Sequence, residues 1–177
     1  MTPAHDILYL GCGDKENREE PGLRIDVSPA TKPDILHDLN QFPWPLPANV
    51  FKKIVCHDVL EHLENLIRVM EEIHRIAKPG AIISITLPHF SSSNSYTDPT
   101  HRHHLGIFSF DYFCDQNQWG FYTPVRFKKI RSEIHFHPNL INKIIWRIAK
   151  KNPKLYEERL TWMFPAWFVS FELEVIK

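Results

Sequence analysis

The sequence predicts an α/β sandwich built on a mostly parallel sheet and closed by a hairpin-like pair of strands. Three observations carry that expectation. Five short runs rich in Ile, Val and Leu (HDILYL, GLRID, DILHDL, KKIVC and AIISITLP) are separated by turn and helix signals, as strands buried on both faces are. Between the fourth and fifth runs, apolar residues recur at helical spacing. Two later segments, RFKKIRSEIHFH and WFVSFELEVIK, alternate apolar and polar residues, which suits antiparallel strands with unlike faces.

Taken in order, the first run ends in GCG, where Gly11 and Gly13 leave the backbone open to close approach. Only DKENREEPG separates Gly13 from the second run, enough for a helical turn and a loop but not for a full crossover helix. Asp26 ends the second run, Asp38 follows the third, His57 and Asp58 follow the fourth, and Pro88-His89 closes the fifth. Ligands of parallel sheets bind beyond the carboxyl ends of the strands, so polar residues recurring there while the strand bodies stay apolar point to a site. Within DVLEHLENLIRVMEEIHRIAKPG, residues Val59, Leu60, Leu63, Ile67, Met70, Ile73 and Ile76 predict one long helix, stopped by Pro79-Gly80. Glu61 and His62 are read as packing or capping residues of that helix. HFSSSNSYTDPTHRHH is too polar for core and reads as a long functional loop. IFSFDYFCDQNQ predicts a short amphipathic helix with Phe110 and Phe113 inward, and LINKIIWRIAKK a second helix.

A chain of 177 residues with 43% hydrophobic content supports one core. One domain, 1–177, is therefore expected, with 138–165 a helical insertion between the last two strands. No apolar run approaches the roughly 20 residues of a membrane span, and the first residues lack a secretory signal, so a soluble cytoplasmic protein is expected. Cys12, Cys56 and Cys114 are odd in number and lack CxxC spacing, which argues against a disulfide scaffold or zinc knuckle. The zero net charge hides an asymmetry: residues 1–125 hold 10 Lys and Arg against 16 Asp and Glu, whereas 126–159 hold 10 against 3. The basic, aromatic insertion, with its stripe of Ile141, Ile144, Ile145 and Ile148, suits a peripheral membrane contact or self-association; a helix packed on the sheet is the plainer alternative.

LYLGCGD, LRIDVSP, VLEHL and RIAKPGAIISITLP, in that order, resemble the class I methyltransferases that use S-adenosylmethionine, over residues 6 to about 125. The resemblance implies a Rossmann-like methyltransferase fold of seven strands, the last antiparallel to the rest. It implies that Gly11, Cys12 and Gly13 pass beneath the methionine part of the cofactor, and that Asp26, with Val27 beside it, holds the ribose. Asp38 and Leu39 would border the adenine, and Cys56 and His57 would line the methionine side. The sequence departs from the family at Tyr9, where an acid is usual two residues before the first glycine, and at Lys15, where a small residue often stands. Glu16, Glu19 or Glu20 could supply the absent carboxylate.

A dinucleotide-binding oxidoreductase needs a third glycine and a full helix that this sequence lacks. Methyl transfer is an in-line displacement governed by alignment, and a base of near-neutral pKa assists where the acceptor is a hydroxyl. His57, His89 and His101 are the candidate catalytic residues. The acceptor expected is an oxygen or nitrogen of a small molecule or saccharide. Zero net charge and HDVL in place of an Asn-Pro-Pro-Tyr-like segment argue against nucleic acid. Two alternatives stay open: a degenerate binding or assembly protein, and a metal site in the loop from His89, His101, His103 and His104 with Asp98, whose spacing matches no defined zinc pattern.

Overall fold

The computed structural model describes residues 5–11, 13, 20–114 and 120–177. Cys12, Lys15, Glu16 and Glu19 lie outside them, as does most of the first crossover. The five apolar runs become β1 (Ile7–Leu10), β2 (Leu23–Asp26), β3 (Ile35–Leu36), β4 (Phe51–His57) and β5 (Ala77–Pro88). The two alternating segments become β6 (Arg126–His135) and β7 (Phe168–Ile176). All seven join one sheet in the order β3-β2-β1-β4-β5-β7-β6.

The pairs β1–β2, β1–β4, β2–β3 and β4–β5 are parallel, while β7 runs antiparallel to both β5 and β6. The apolar strand bodies build one continuous core, in which Leu8, Ile25, Ile54, Ile83, Ile85 and Leu173 are fully buried. Because β1 pairs with β2 on one side and β4 on the other, the strand order reverses beside β1. The carboxyl ends of β1 and β4 therefore flank the crevice where such sheets bind ligands.

The long helix is divided. A 3-10 turn at Leu60–His62 precedes α1 (Leu66–Ile76), which begins where Asn65 caps the Arg68 amide at 3.0 Å. Asp58 adopts a positive φ of 48°, so the chain leaves β4 by a sharp turn rather than entering a helix directly. Leu60 and Leu63 are buried as predicted, but from a turn. At the other end, Ala77 extends straight into β5. The Lys-Pro-Gly segment lies inside that strand, where Gly80 takes a φ of 75° and the register to β4 shifts.

After β5, the polar loop contains one helical turn, α2 (Asn94–Thr97). A 3-10 turn at Ser109–Phe113 buries Phe110 and Phe113. In the insertion, α3 (Leu140–Lys151) is capped by Asn139, which accepts from the Asn142 amide at 2.7 Å. It packs Ile145 and Ala149 against the core and leaves Ile141 60% and Ile144 58% exposed, so only half of the isoleucine stripe is covered. Among the described residues, no helix is long and apolar enough to cross a membrane.

Candidate active site

The amino-terminal half of the crevice is assembled around Asp26. Gly11 and Gly13 both take positive φ, 56° and 46°, which a glycine adopts at little cost. A side chain at Gly11 would meet Val59 at 2.4 Å, so this glycine seats the turn that follows β4. At Gly13 no heavy atom of the described residues beyond its chain neighbours lies within 4 Å of where a Cβ would stand. The Gly13 amide donates to Asp26 Oδ2 at 3.1 Å, and the Ser28 amide donates to Oδ1 at 2.8 Å. Each carboxylate oxygen carries about two acceptor positions, so both keep one for a further donor. Val27, next along, is 66% exposed, and Leu36, the residue paired with Asp26 across β3, is 60% exposed. These apolar surfaces at adjoining strand ends were only half visible in the sequence, which singled out Val27 and not Leu36.

Several expected contacts are arranged differently. Asp38 Oδ1 closes its own turn by accepting from the Asn40 amide at 2.9 Å, and Leu39 points into the core while its carbonyl accepts from the Trp44 indole. Leu39 can therefore offer the crevice its backbone but not its side chain. Cys56 is fully buried and burial pushes its thiol up, so Cys56 is a core residue rather than part of the crevice lining. His57, one residue on, is exposed at the end of β4. Tyr9, standing where an acid was expected, donates to the Glu20 carbonyl at 2.9 Å. Glu20 does not replace that acid, because its carboxylate is engaged by Lys53 at 2.6 Å.

His89 is withdrawn from the crevice. It is fully buried, its Nδ1 accepts from the Ser91 amide, and its Nε2 then donates to Glu157 at 3.1 Å. With both ring nitrogens occupied inside the fold, His89 ties the loop to the insertion and cannot act as the base. His104 is likewise engaged, sharing a hydrogen bond with Ser95 Oγ and stacking on Tyr96. Of the loop histidines proposed as a metal set, only His101 reaches the mouth of the sheet.

There a cavity of ≈ 550 Å³ opens beyond β4 and β5, lined by Asp58, Glu61, His62, Pro88, Asn94, Thr97, Asp98, Pro99, His101 and Phe168. The loop is stitched to the turn after β4 by its backbone: the Glu61 carbonyl accepts from the Arg102 amide at 2.7 Å and from the His103 amide at 3.1 Å. His62 and His101 consequently meet edge to face, with ring centroids 4.6 Å apart. Glu61 is 1% exposed, and neither carboxylate oxygen has a hydrogen-bond partner among the described residues. Burial, with the charges of Asp58 and Asp98, outweighs the lowering influence of the residue's own backbone N–H and pushes its carboxyl up to about 7. Burial and the neighbouring His101 lower the pKa of His62, favouring the neutral ring.

By sequence Glu61 and His62 are packing or capping residues of a helix, whereas the fold brings both to the cavity wall. The signal that distinguishes them is position: a glutamate set between the buried Leu60 and Leu63, immediately beyond a strand end, leaves its charge nowhere to go but inward.

The comparisons with known proteins agree with this fold. Residues 10–85 match the family model described as a methyltransferase domain. An S-adenosylmethionine-dependent methyltransferase from Archaeoglobus fulgidus aligns over 98% of this chain and 87% of its own at 16% identity, with a TM-score of 0.66. One described in the same terms from Mesorhizobium loti aligns over 95% and 89% at 16% identity, with a TM-score of 0.59. A [4+2]-cyclase aligns over 96% of this chain and 75% of its own at 14% identity, with a TM-score of 0.60. No curated protein sequence matches the chain. The strand order and these structural likenesses give the chain the fold of the class I methyltransferases, and its residues 10–85, from the end of β1 into β5, are similar to a methyltransferase domain.

Proposed function

We propose that the protein transfers a methyl group from S-adenosylmethionine to an oxygen or nitrogen of a small-molecule acceptor held in the cavity beyond β4 and β5. The observation that carries this reading is the pairing of two half-sites across the switch point. On one side stands Asp26, with an acceptor position left on each oxygen, beside the positive-φ turn at Gly13. On the other stands a polar cavity of a size that suits a small molecule.

When bound, the cofactor would supply an electrophilic methyl on a sulfonium. Asp26 would accept from the ribose hydroxyls, Val27 and Leu36 would cover an adenine face, and the Gly13 backbone would border the amino-acid end. The chain's own work lies in holding the acceptor in line and taking its proton as the new bond forms. His101 lines the cavity, and its Nδ1 is 3.1 Å from the Ser95 carbonyl; a carbonyl only accepts, so Nδ1 carries the proton and Nε2 keeps its lone pair. His57, the other candidate, is exposed at the end of β4 but does not line the cavity.

Isothermal calorimetry with S-adenosylmethionine tests the first half-site. Asp26→Asn preserves the shape of the turn but removes the charge that favours the ribose donors. Binding is expected to weaken by about 1.5–3 kcal/mol, roughly ten- to a hundredfold. Parent protein that shows no heat at millimolar cofactor would refute the reading.

A further inference from the structure

We propose that Glu61, His62 and His101 form a binding site for a divalent first-row transition ion at the floor of the cavity. One ligand atom from each of the three lies within 4.8 Å of the other two. An ion held at about 2.1 Å from each atom needs them roughly 3–3.5 Å apart, a contraction within the reach of side-chain rotation.

The histidines are already set for this role. Thr100 Oγ1 spends its proton on Asp98 Oδ1 at 2.6 Å, so the 2.8 Å contact between His62 Nδ1 and Thr100 Oγ1 has the ring as donor. His101 Nδ1 donates to the Ser95 carbonyl. Both rings are thereby fixed in the tautomer that leaves Nε2 unprotonated, and each has the outer hydrogen bond typical of a metal-ligating histidine.

The independent observation is Glu61. A carboxylate 1% exposed, with neither oxygen partnered among the described residues, is costly to keep, and it lines the cavity beside the two rings. A cation supplies the missing partner. Asp58, on the same cavity wall, offers a further oxygen. Imidazole nitrogen with carboxylate suits zinc and its neighbours in the first transition row better than magnesium, which favours oxygen ligands and holds its waters. Three protein ligands leave coordination positions open to the cavity. An ion there would occupy the His101 Nε2 lone pair and so take over from that ring as the activating group, binding an acceptor hydroxyl and lowering its pKa; this use rests on the methyl-transfer reading, whereas the binding site itself does not.

The test is calorimetric titration of chelator-stripped full-length protein, lacking any histidine tag, with Zn²⁺ and separately with Mg²⁺, in the absence of S-adenosylmethionine. One Zn²⁺ per chain is expected, with Mg²⁺ at least tenfold weaker. Glu61→Gln and His101→Ala should each weaken Zn²⁺ at least tenfold, while His5→Ala, on the exposed amino-terminal side, leaves it unchanged. Glu61→Gln keeps the volume of the side chain, so a retained far-ultraviolet spectrum separates a lost ligand from a lost fold. No Zn²⁺ binding at ~100 μM, or binding that Glu61→Gln and His101→Ala leave intact, overturns the site, and Mg²⁺ binding as tightly as Zn²⁺ overturns the ion class. Failure of Zn²⁺ with cofactor binding intact removes the metal alone; failure of the cofactor with Zn²⁺ binding intact removes methyl transfer and spares the metal.

Discussion

At Glu61 a single ionisable side chain is buried against the cavity. Its carboxyl is pushed up to about 7 from an ordinary 4.5, chiefly by burial, so the metal-free fold binds a proton that the unfolded chain has released. The sign follows by linkage: between pH 4.5 and 7 the native state holds more protons, and stability falls as pH rises through that window. In metal-free protein, Glu61→Gln is therefore expected to be more stable than the parent at pH 8, by about 2–3 kcal/mol, and to lose that advantage below pH 4.5. Urea unfolding at pH 4 and pH 8 checks it; equal stability of the two proteins at pH 8 would show that the carboxylate is solvated. The sequence displayed the charges of this site but not its membership. Asp26, Gly13 and His101 could be placed because each follows a strand or sits in a polar loop. Glu61 and His62 could not, because apolar neighbours at 60 and 63 gave them the periodicity of a helix. His89 misled for the opposite reason: a histidine after a strand looked available, and only the chain returning 68 residues later with Glu157 buries it.

At the scale of elements, the segment between β3 and β4 depends on a clasp with α1. Glu72 accepts from Arg75 Nη2 at 2.7 Å and from the Trp44 amide at 3.0 Å, while Arg75 reaches the carbonyls of Trp44 and Leu46. Burial raises the Glu72 carboxyl, but Arg75 and the Trp44 amide outweigh it and the net shift is downward. Its contribution is therefore fully present above about pH 4.5 and is lost as pH falls through the depressed native value. Glu72→Gln is expected to cost about 1–2 kcal/mol at pH 7 and to cost less in acid, as read from urea midpoints. Because this segment carries Asp38 and Leu39, loosening it should also raise the Kd for S-adenosylmethionine. The clasp was not legible beforehand: α1 itself was clear from Met70, Ile73 and Ile76, but its polar face gave no sign of which loop it would grip. The start of α1 was also hidden, since Asn65 is an ordinary cap whose force emerges only once Asp58 has turned the chain out of β4.

Across the whole molecule, β7 is the strand on which both halves of the late sheet rest. Leu173 is fully buried between β5 and β6. Leu173→Ala should cost about 2–4 kcal/mol, whereas Ile141→Lys and Ile144→Lys, on the uncovered face of α3, should each change stability by less than about 0.5 kcal/mol. Chemical denaturation separates these cases, and a large loss at Ile144 would mean that its face is covered in solution. The parallel core and its antiparallel closure were readable because strand bodies carry their burial in their composition. The course of 138–165 was not, because a basic amphipathic helix satisfies its pattern on a sheet or apart from one. The direction of β7 has one more effect. Being antiparallel, it begins with Phe168 at the same end where β4 and β5 finish, so the insertion must deliver its last residues to the cavity wall. Glu157, within that insertion, also receives the Ile107 amide and His89. Among the described residues, Gly13 and Asp26 come before β4, whereas the loop and strand after β5 supply Asn94, Thr97, Asp98, His101 and Phe168 to the cavity wall. Substitutions after β5 can therefore reshape the cavity wall while leaving the hydrogen bonds around Asp26 as they are.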